Sequence, residues 1–275
     1  MATVENPEIG RQIEAGGIAT NYHDAGEGFP LLMIHGSGPG VSAWANWRLN
    51  IGPLAEGRRV IAPDMVGFGF TARPEAARYD RRLWLDHLLA FMDGLGIEQT
   101  DLVGNSFGGG LALAAASAFP DRFRRLVLMG SVGVDFALTP GLDAVWGYEP
   151  SVEAMRALLD IFAFDRTLVT DELAELRYRA SIRPGFQEAF AAMFPPPRQA
   201  HIGALALPEA EISALPHRVL LLHGREDRVI PPANAQRLFA LIPDAELHMF
   251  ANCGHWIQIE KAAAFNRLVA DFLAD

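Results

Sequence analysis

The sequence predicts an α/β fold: a mostly parallel sheet wound on both faces, with a helical lid inserted late in the chain. Three observations predict it. Continuous apolar runs such as Leu31–Ile34, Arg125–Met129 and Val219–Leu222 read as strands covered on both sides. Helical patterns alternate with them, the order that a wound sheet requires. From about Val134 to Ala210 that rhythm breaks, and helical patterns follow one another with no strand between them.

The elements follow in order. Ile18 to His23 alternates as an edge strand and stops at the turn Gly26-Glu27-Gly28. Leu31–Ile34 ends in His35-Gly36-Ser37-Gly38-Pro39-Gly40, a loop too rich in glycine to be regular. Arg59–Ala62 is the next strand and leads into Pro63-Asp64 and Gly67-Phe68-Gly69. Asp80 can cap a helix whose stripe is Trp84, Leu88, Phe91 and Leu95, closed by Gly94 and Gly96. The strand Thr100–Val103 turns at Ser106 into a helix carrying Leu111, Ala114, Ala115 and Ala118, which Pro120 stops. After Arg125–Met129 come helical patterns over Ser151–Phe162, Asp171–Ser181 and Gly185–Met193. A rigid turn at Pro195-Pro196-Pro197 then precedes a short helix. Val219–Leu222 resumes the sheet, followed by a helix from Pro232 to Ile242, a strand Leu247–Phe250 and a helix Ala262–Leu273. Residues 1–133 and 211–275 therefore read as the core, and 134–210 as a lid over the carboxyl edge of the sheet. A separate helical unit elsewhere on the surface is the alternative.

Composition narrows the function. The chain has 275 residues, half of them hydrophobic, which is ample for a large core. No run of about 18 apolar residues exists to cross a membrane, and Met1 to Gly10 lacks the order of a signal peptide. Net charge is −10 with no cluster of Lys or Arg, which argues against a nucleic-acid partner. The lone Cys253 excludes an internal disulfide and points to a reducing cytoplasm, where it reads as a small buried thiol. An anionic substrate would need positive charge supplied locally.

The chemistry centres on Gly104-Asn105-Ser106-Phe107-Gly108. A serine in a sharp strand-to-helix turn is strained, is presented above the sheet, and lies at a helix N-terminus that favours developing negative charge. Gly108, Gly109 and Gly110 cost such a helix up to about 1 kcal/mol each, which implies closely approaching backbones. A serine hydroxyl also needs a base, and the base an orienting carboxylate. Asp227 and His255 each follow a predicted strand by a few residues, giving the chain order Ser, Asp, His of the α/β-hydrolase arrangement. Glu226 is the rival acid. His87, His201, His223 and His248 carry no chemistry in this reading. An oxyanion would be met by the backbone N–H of Phe107 and a second from the glycine loop, at Ser37.

Together, His35-Gly36-Ser37-Gly38-Pro39-Gly40, Gly104-Asn105-Ser106-Phe107-Gly108-Gly109 and Gly254-His255-Trp256 resemble the meta-cleavage product hydrolases, over essentially the whole chain. The lid phrases Leu142–Tyr148 and Leu158–Phe162 share the likeness, while Gln199–Pro216 is less typical. The resemblance implies hydrolysis of a carbon–carbon bond in an anionic 2-hydroxy-6-oxohexa-2,4-dienoate, a ring-fission product of aromatic breakdown. It implies no cofactor, no metal and a homo-oligomer. It carries the substrate carboxylate and 2-oxo group to Asn46, Asn105, Arg177 and Trp256. Val132, Ile202 and Ile230 are read either as facing the C6 substituent, stiff enough to admit hydrogen or small alkyl and exclude phenyl, or as ordinary core packing. A carboxylesterase and a hydrolase-fold sensor remain open.

Overall fold

In the computed structural model, which describes residues 6–75 and 77–274, eight strands form one sheet. The first five residues of the Met1–Gly10 stretch lie outside the described residues. The strands are β1 (Arg11–Ala15), β2 (Ile18–Ala25), β3 (Pro30–Ile34), β4 (Arg59–Pro63), β5 (Thr100–Asn105), β6 (Phe123–Met129), β7 (Arg218–Gly224) and β8 (Ala245–Phe250). Their spatial order is β1-β2-β4-β3-β5-β6-β7-β8. β2 is antiparallel to both its neighbours, and the other pairs are parallel. The helices are α1 (Ala43–Trp47), α2 (Ile51–Ala55), α3 (Arg81–Gly94), α4 (Phe107–Ala118), α5 (Pro140–Trp146), α6 (Val152–Phe162) and α7 (Asp171–Ser181). They continue with α8 (Phe186–Met193), α9 (Gln199–Leu205), α10 (Glu209–Ser213), α11 (Ala233–Leu241), α12 (Ile257–Glu260) and α13 (Ala262–Ala274).

The period-two alternation of the central strands builds two cores. Leu32, Ile34, Leu102, Leu126 and Leu128 enter one with α3 and α4. Leu31, Met33, Val103, Val127 and Met129 enter the other with α1, α2 and α13. Each large side chain so buried contributes roughly 1.5–3 kcal/mol before chain entropy is counted. Asp80 caps α3 as the sequence suggests, its carboxylate accepting from the Leu83 N–H at 3.0 Å.

One edge of the sheet differs from the expectation. Ile18–His23 lies within β2, which is flanked on both sides; β1 is the edge strand. Arg11-Gln12-Ile13-Glu14-Ala15 exposes most of its length, so it shows little apolar alternation to read. Gly16 and Gly17, both at positive φ, close its hairpin with β2. The short helices α1, α2, α5 and α10 also escape periodicity, being under two turns long. Between β6 and β7 lie α5 to α10, with no strand among the described residues. Several ties hold these helices to the loops after β3 and β7 and to the start of α3. Thr139 Oγ1 donates to the Val229 carbonyl at 2.7 Å, Trp146 Nε1 to Ser37 Oγ at 3.1 Å, and Arg81 to the Ala206 carbonyl at 3.1 Å. α10 packs on α4 and α11.

Burial also sets the response to acid. Burial holds the His35 and His87 imidazoles down to about 4 and pushes the Asp64 carboxyl up to about 6, the latter against N–H donors from Ala43, Phe70 and Asn21. Between about pH 6.5 and 4 the unfolded chain binds protons on both histidines that the folded chain refuses, so stability falls as pH falls. Asp64 has the opposite sign, because the folded chain takes its proton first between about 6 and 3.8. Two groups outweigh one. The melting temperature is expected to fall as pH drops from 6.5 to 4.5, with a shallower fall in His87→Gln; a flat or rising profile would refute this.

Candidate active site

The turn after β5 is built from backbone. Ser106 sits at φ 54° and ψ −113°, one of two non-glycine residues at positive φ among those described. Its N–H donates to the Met129 carbonyl at 2.8 Å, and its own carbonyl accepts from Gly109, Gly110 and Val132. Such a conformation costs about 1–3 kcal/mol and persists because both sides are fixed. The glycines make it possible. A Cβ on Gly104 would strike the backbone of Gly108 and Gly109, and one on Gly108 the carbonyls of Ile34 and His35. The helix α4 therefore lies against β3 and β5 at a distance only glycine allows, with Ser106 at its N-terminus.

Asp227 and His255 reach the same edge from β7 and β8. His255 Nδ1 donates to Asp227 Oδ2 at 2.7 Å, and Ser106 and His255 line one cavity. Asp227 Oδ1 accepts from the Val229 and Ile230 N–H groups at 2.8 and 3.0 Å. Burial alone would raise this carboxyl. The imidazoles of His255 and His223 outweigh it and hold the acid well below the usual carboxylate range. With its hydrogen on Nδ1, His255 keeps the Nε2 lone pair for a serine proton. Glu226 is engaged elsewhere, accepting from the Cys253 N–H at 3.0 Å and the Arg225 guanidinium at 2.8 Å. Cys253 is buried, and burial pushes its thiol up to about 12, so it stays a thiol. The histidine loop is clamped as well. The His255 N–H donates to the Phe162 carbonyl at 2.7 Å, and Glu260 accepts from Gly254, Phe164 and Asp165.

The N–H groups of Ser37 and Phe107 donate to no acceptor among the described residues. His35, missed as a functional residue in the sequence, shapes this loop: Nδ1 donates to the Gly36 carbonyl at 2.8 Å, and Nε2 accepts from the Met65 N–H at 3.0 Å. Two N–H donors on either side of an activated serine can stabilise a tetrahedral oxyanion.

Polar groups gather in the same cavity. Asn105 Nδ2 donates to Asn46 Oδ1 at 2.9 Å, which leaves Asn46 Nδ2 and Asn105 Oδ1 buried without partners, a donor beside an acceptor. Arg177 enters from α7, its guanidinium donating to the Gly40 carbonyl at 2.6 Å, and Trp256 stacks on Phe162 at 5.1 Å. Arg48 and Gln258, which no motif marks, line the cavity too. Its apolar wall is Leu142, Val145, Met155, Leu159, Phe162 and Val229. Val132, Ile202 and Ile230, expected there, are instead buried in the hydrophobic core and are not among the lining residues. A stiff β-branched side chain suits a core as well as a pocket wall, so residue type alone did not separate the two. Met155, Leu159 and Phe162 come from one face of α6, whose Met155, Leu158, Leu159 and Phe162 recur at helical spacing.

A family model described as alpha/beta hydrolase fold matches residues 30–262. The chain is 64% identical over 274 residues to a 2-hydroxymuconate semialdehyde hydrolase of Pseudomonas sp. (strain CF600), covering 100% of this chain and 97% of that protein. It is 61% identical to a 2-hydroxy-6-oxo-2,4-heptadienoate hydrolase of Pseudomonas putida (strain F1), covering 98% of each. Its fold matches that of a meta-cleavage product hydrolase from Pseudomonas fluorescens IP01, solved as a serine-to-alanine mutant complexed with acetates. There the TM-score is 0.97 and the identity 59%, covering 98% of this chain and 99% of that one. A chain that shares its sequence and its fold with these enzymes from end to end belongs to their family, the meta-cleavage product hydrolases of the α/β-hydrolase fold.

Proposed function

We propose that the protein cleaves 2-hydroxymuconate semialdehyde and its small 6-alkyl homologues to 2-hydroxypenta-2,4-dienoate and a small carboxylic acid. The observation that carries this is the unpartnered donor and acceptor of the Asn46–Asn105 pair, in one cavity with Arg177, Ser106 and His255. A carboxylate beside a 2-hydroxy or 2-oxo group complements that set, and the Arg177 fork supplies the cation that a chain of net charge −10 must place locally.

His255 moves the proton of the 2-hydroxyl to C5, which makes the C5–C6 bond part of a vinylogous diketone. It then takes the Ser106 proton as the hydroxyl adds to C6, with Asp227 holding the ring. The Ser37 and Phe107 N–H groups receive the oxyanion. When C5–C6 breaks, the electron pair passes into the enone, and His255 gives the proton it took from Ser106 to the departing dienolate, which leaves as 2-hydroxypenta-2,4-dienoate and returns the imidazole to its basic form. Water, deprotonated by His255, releases the acid from Ser106. The inserted helices over 134–210 act as the lid, and Trp256 borders the dienoate.

One assay series tests both the reaction and its polar end. Substrates with hydrogen or methyl at C6 should turn over at least about tenfold faster than the 6-phenyl compound, since forcing a ring into a packed wall costs about 1–3 kcal/mol. Arg177→Gln should lower kcat/KM for the dienoates at least about tenfold, as a charge-assisted contact is worth about 1.5–3 kcal/mol. It should leave p-nitrophenyl acetate hydrolysis unchanged. Equal losses on both substrates would make Arg177 structural, and hydrolysis of the ester alone would make the protein a carboxylesterase.

A further inference from the structure

The mechanism leaves one fully buried imidazole unused, and it touches the triad acid. His223 lies at the carboxyl end of β7 with no exposed surface. Its Nε2 is 3.0 Å from the Ile230 carbonyl and 3.3 Å from Asp227 Oδ2, the same oxygen that holds His255. Both neighbours are acceptors, so the ring hydrogen sits on Nε2 and is shared between them. Nδ1 is buried and meets no partner among the described residues.

We propose that His223 is a positioning residue for the Asp227–His255 pair, its Nε2–H fixing the carboxylate in the plane from which Oδ2 orients the catalytic imidazole. The geometry forms a closed ring. The Ile230 N–H donates to Asp227 Oδ1, the Ile230 carbonyl accepts from His223, and the same His223 nitrogen lies 3.3 Å from Oδ2. With Val229 the carboxylate then has four donors, two on each oxygen, which saturates a charge that has no water to solvate it. Without His223, one side of Oδ2 is unpaired. The carboxylate then keeps its two backbone donors on Oδ1 but is less constrained at Oδ2, and its charge bears more fully on His255. The titratable groups facing Asp227 are His223 from β7 and His255 and Cys253 from the loop after β8.

This inference rests on the assignment of Ser106, His255 and Asp227 above. The test compares His223→Phe, which keeps a flat ring and removes the donor, with His223→Gln, whose amide nitrogen reaches toward the Nε2 position. In His223→Phe, kcat for the C6-hydrogen dienoate should fall about 10- to 100-fold with KM nearly unchanged. The acid limb of its kcat/KM profile should move to higher pH, because a less dispersed carboxylate stabilises the imidazolium form of His255. His223→Gln should restore the limb and most of the rate. In an Asp227→Asn background, His223→Phe should cost less than it does in the parent, the sign of two residues acting as one unit. Parental kcat in His223→Phe would overturn the proposal. So would equal losses in both variants with an unmoved limb, or full additivity with Asp227→Asn. If the phenylalanine variant does not fold, a glutamine variant with its limb displaced and its rate lost overturns it equally. Retained cleavage in Ser106→Ala would instead refute the underlying assignment, so the two failures are distinct.

Discussion

Ser106→Ala is expected to lose at least about a thousandfold in carbon–carbon cleavage while melting within about 2 °C of the parent. The loss is large because Ser106 is the hydroxyl presented at the N-terminus of α4 in one cavity with His255, whereas the Ser37 hydroxyl in the same cavity is engaged by Trp146 Nε1. The fold is spared because the backbone bonds that hold the turn, from the Ser106 N–H to Met129 and from Gly109, Gly110 and Val132 to its carbonyl, do not involve the hydroxyl. His255 is untouched by the change, so rapid-scan absorbance should still show the dienol converting to its keto form. Multiple-turnover assays then measure cleavage and calorimetry the fold. Cleavage within about tenfold of the parent would remove Ser106 from the mechanism.

Asp227→Asn should cost about 10³- to 10⁴-fold in kcat, for a reason of atom placement rather than charge alone. Two backbone N–H groups demand an oxygen at the Oδ1 position. The carboxamide therefore turns its nitrogen toward His255, where a hydrogen on Nδ1 already points. Donor against donor is resolved by moving the imidazole hydrogen to Nε2, and a ring in that tautomer has no lone pair for the Ser106 proton. The same substitution leaves the His223 Nε2–H with only the Ile230 carbonyl. Nitrogen NMR of the His255 ring should report the exchanged tautomer, and steady-state turnover the loss. A parental tautomer with near-parental kcat would show that Asp227 does not orient the base.

The strands β3, β5, β6 and β7 could be read from composition because each is buried on both faces and so must be apolar along its length. The serine turn could be read for a related reason. Its glycines are a steric demand of backbone contact, which leaves a mark at fixed spacing in the chain. β1 and the shortest helices left no such mark, since a half-exposed strand of five residues or a helix under two turns long has too few periods to stand out.

What pattern and order could anticipate, then, was the wound sheet, the run of helices between β6 and β7, and the placing of Ser106, Asp227 and His255 after successive strands. These depend on interactions between neighbours in the chain or on a topology that places the carboxyl ends of the parallel strands at one edge. What needed the folded molecule was everything set by approach from distant segments. The carboxylate of Asp227 meets His255, while that of Glu226 meets Cys253 and Arg225. Asn46 and Asn105 became a pair with one donor and one acceptor left over. Val132, Ile202 and Ile230 went to the core, while Met155, Leu159 and Val229 formed the wall. His223, unremarkable as a residue near a strand end, approaches the same Asp227 oxygen as His255. A side chain's type is written in the chain, but its partner is fixed only when packing brings together residues far apart in sequence. Hydrogen bonds, which act over about 3 Å, are therefore decided last.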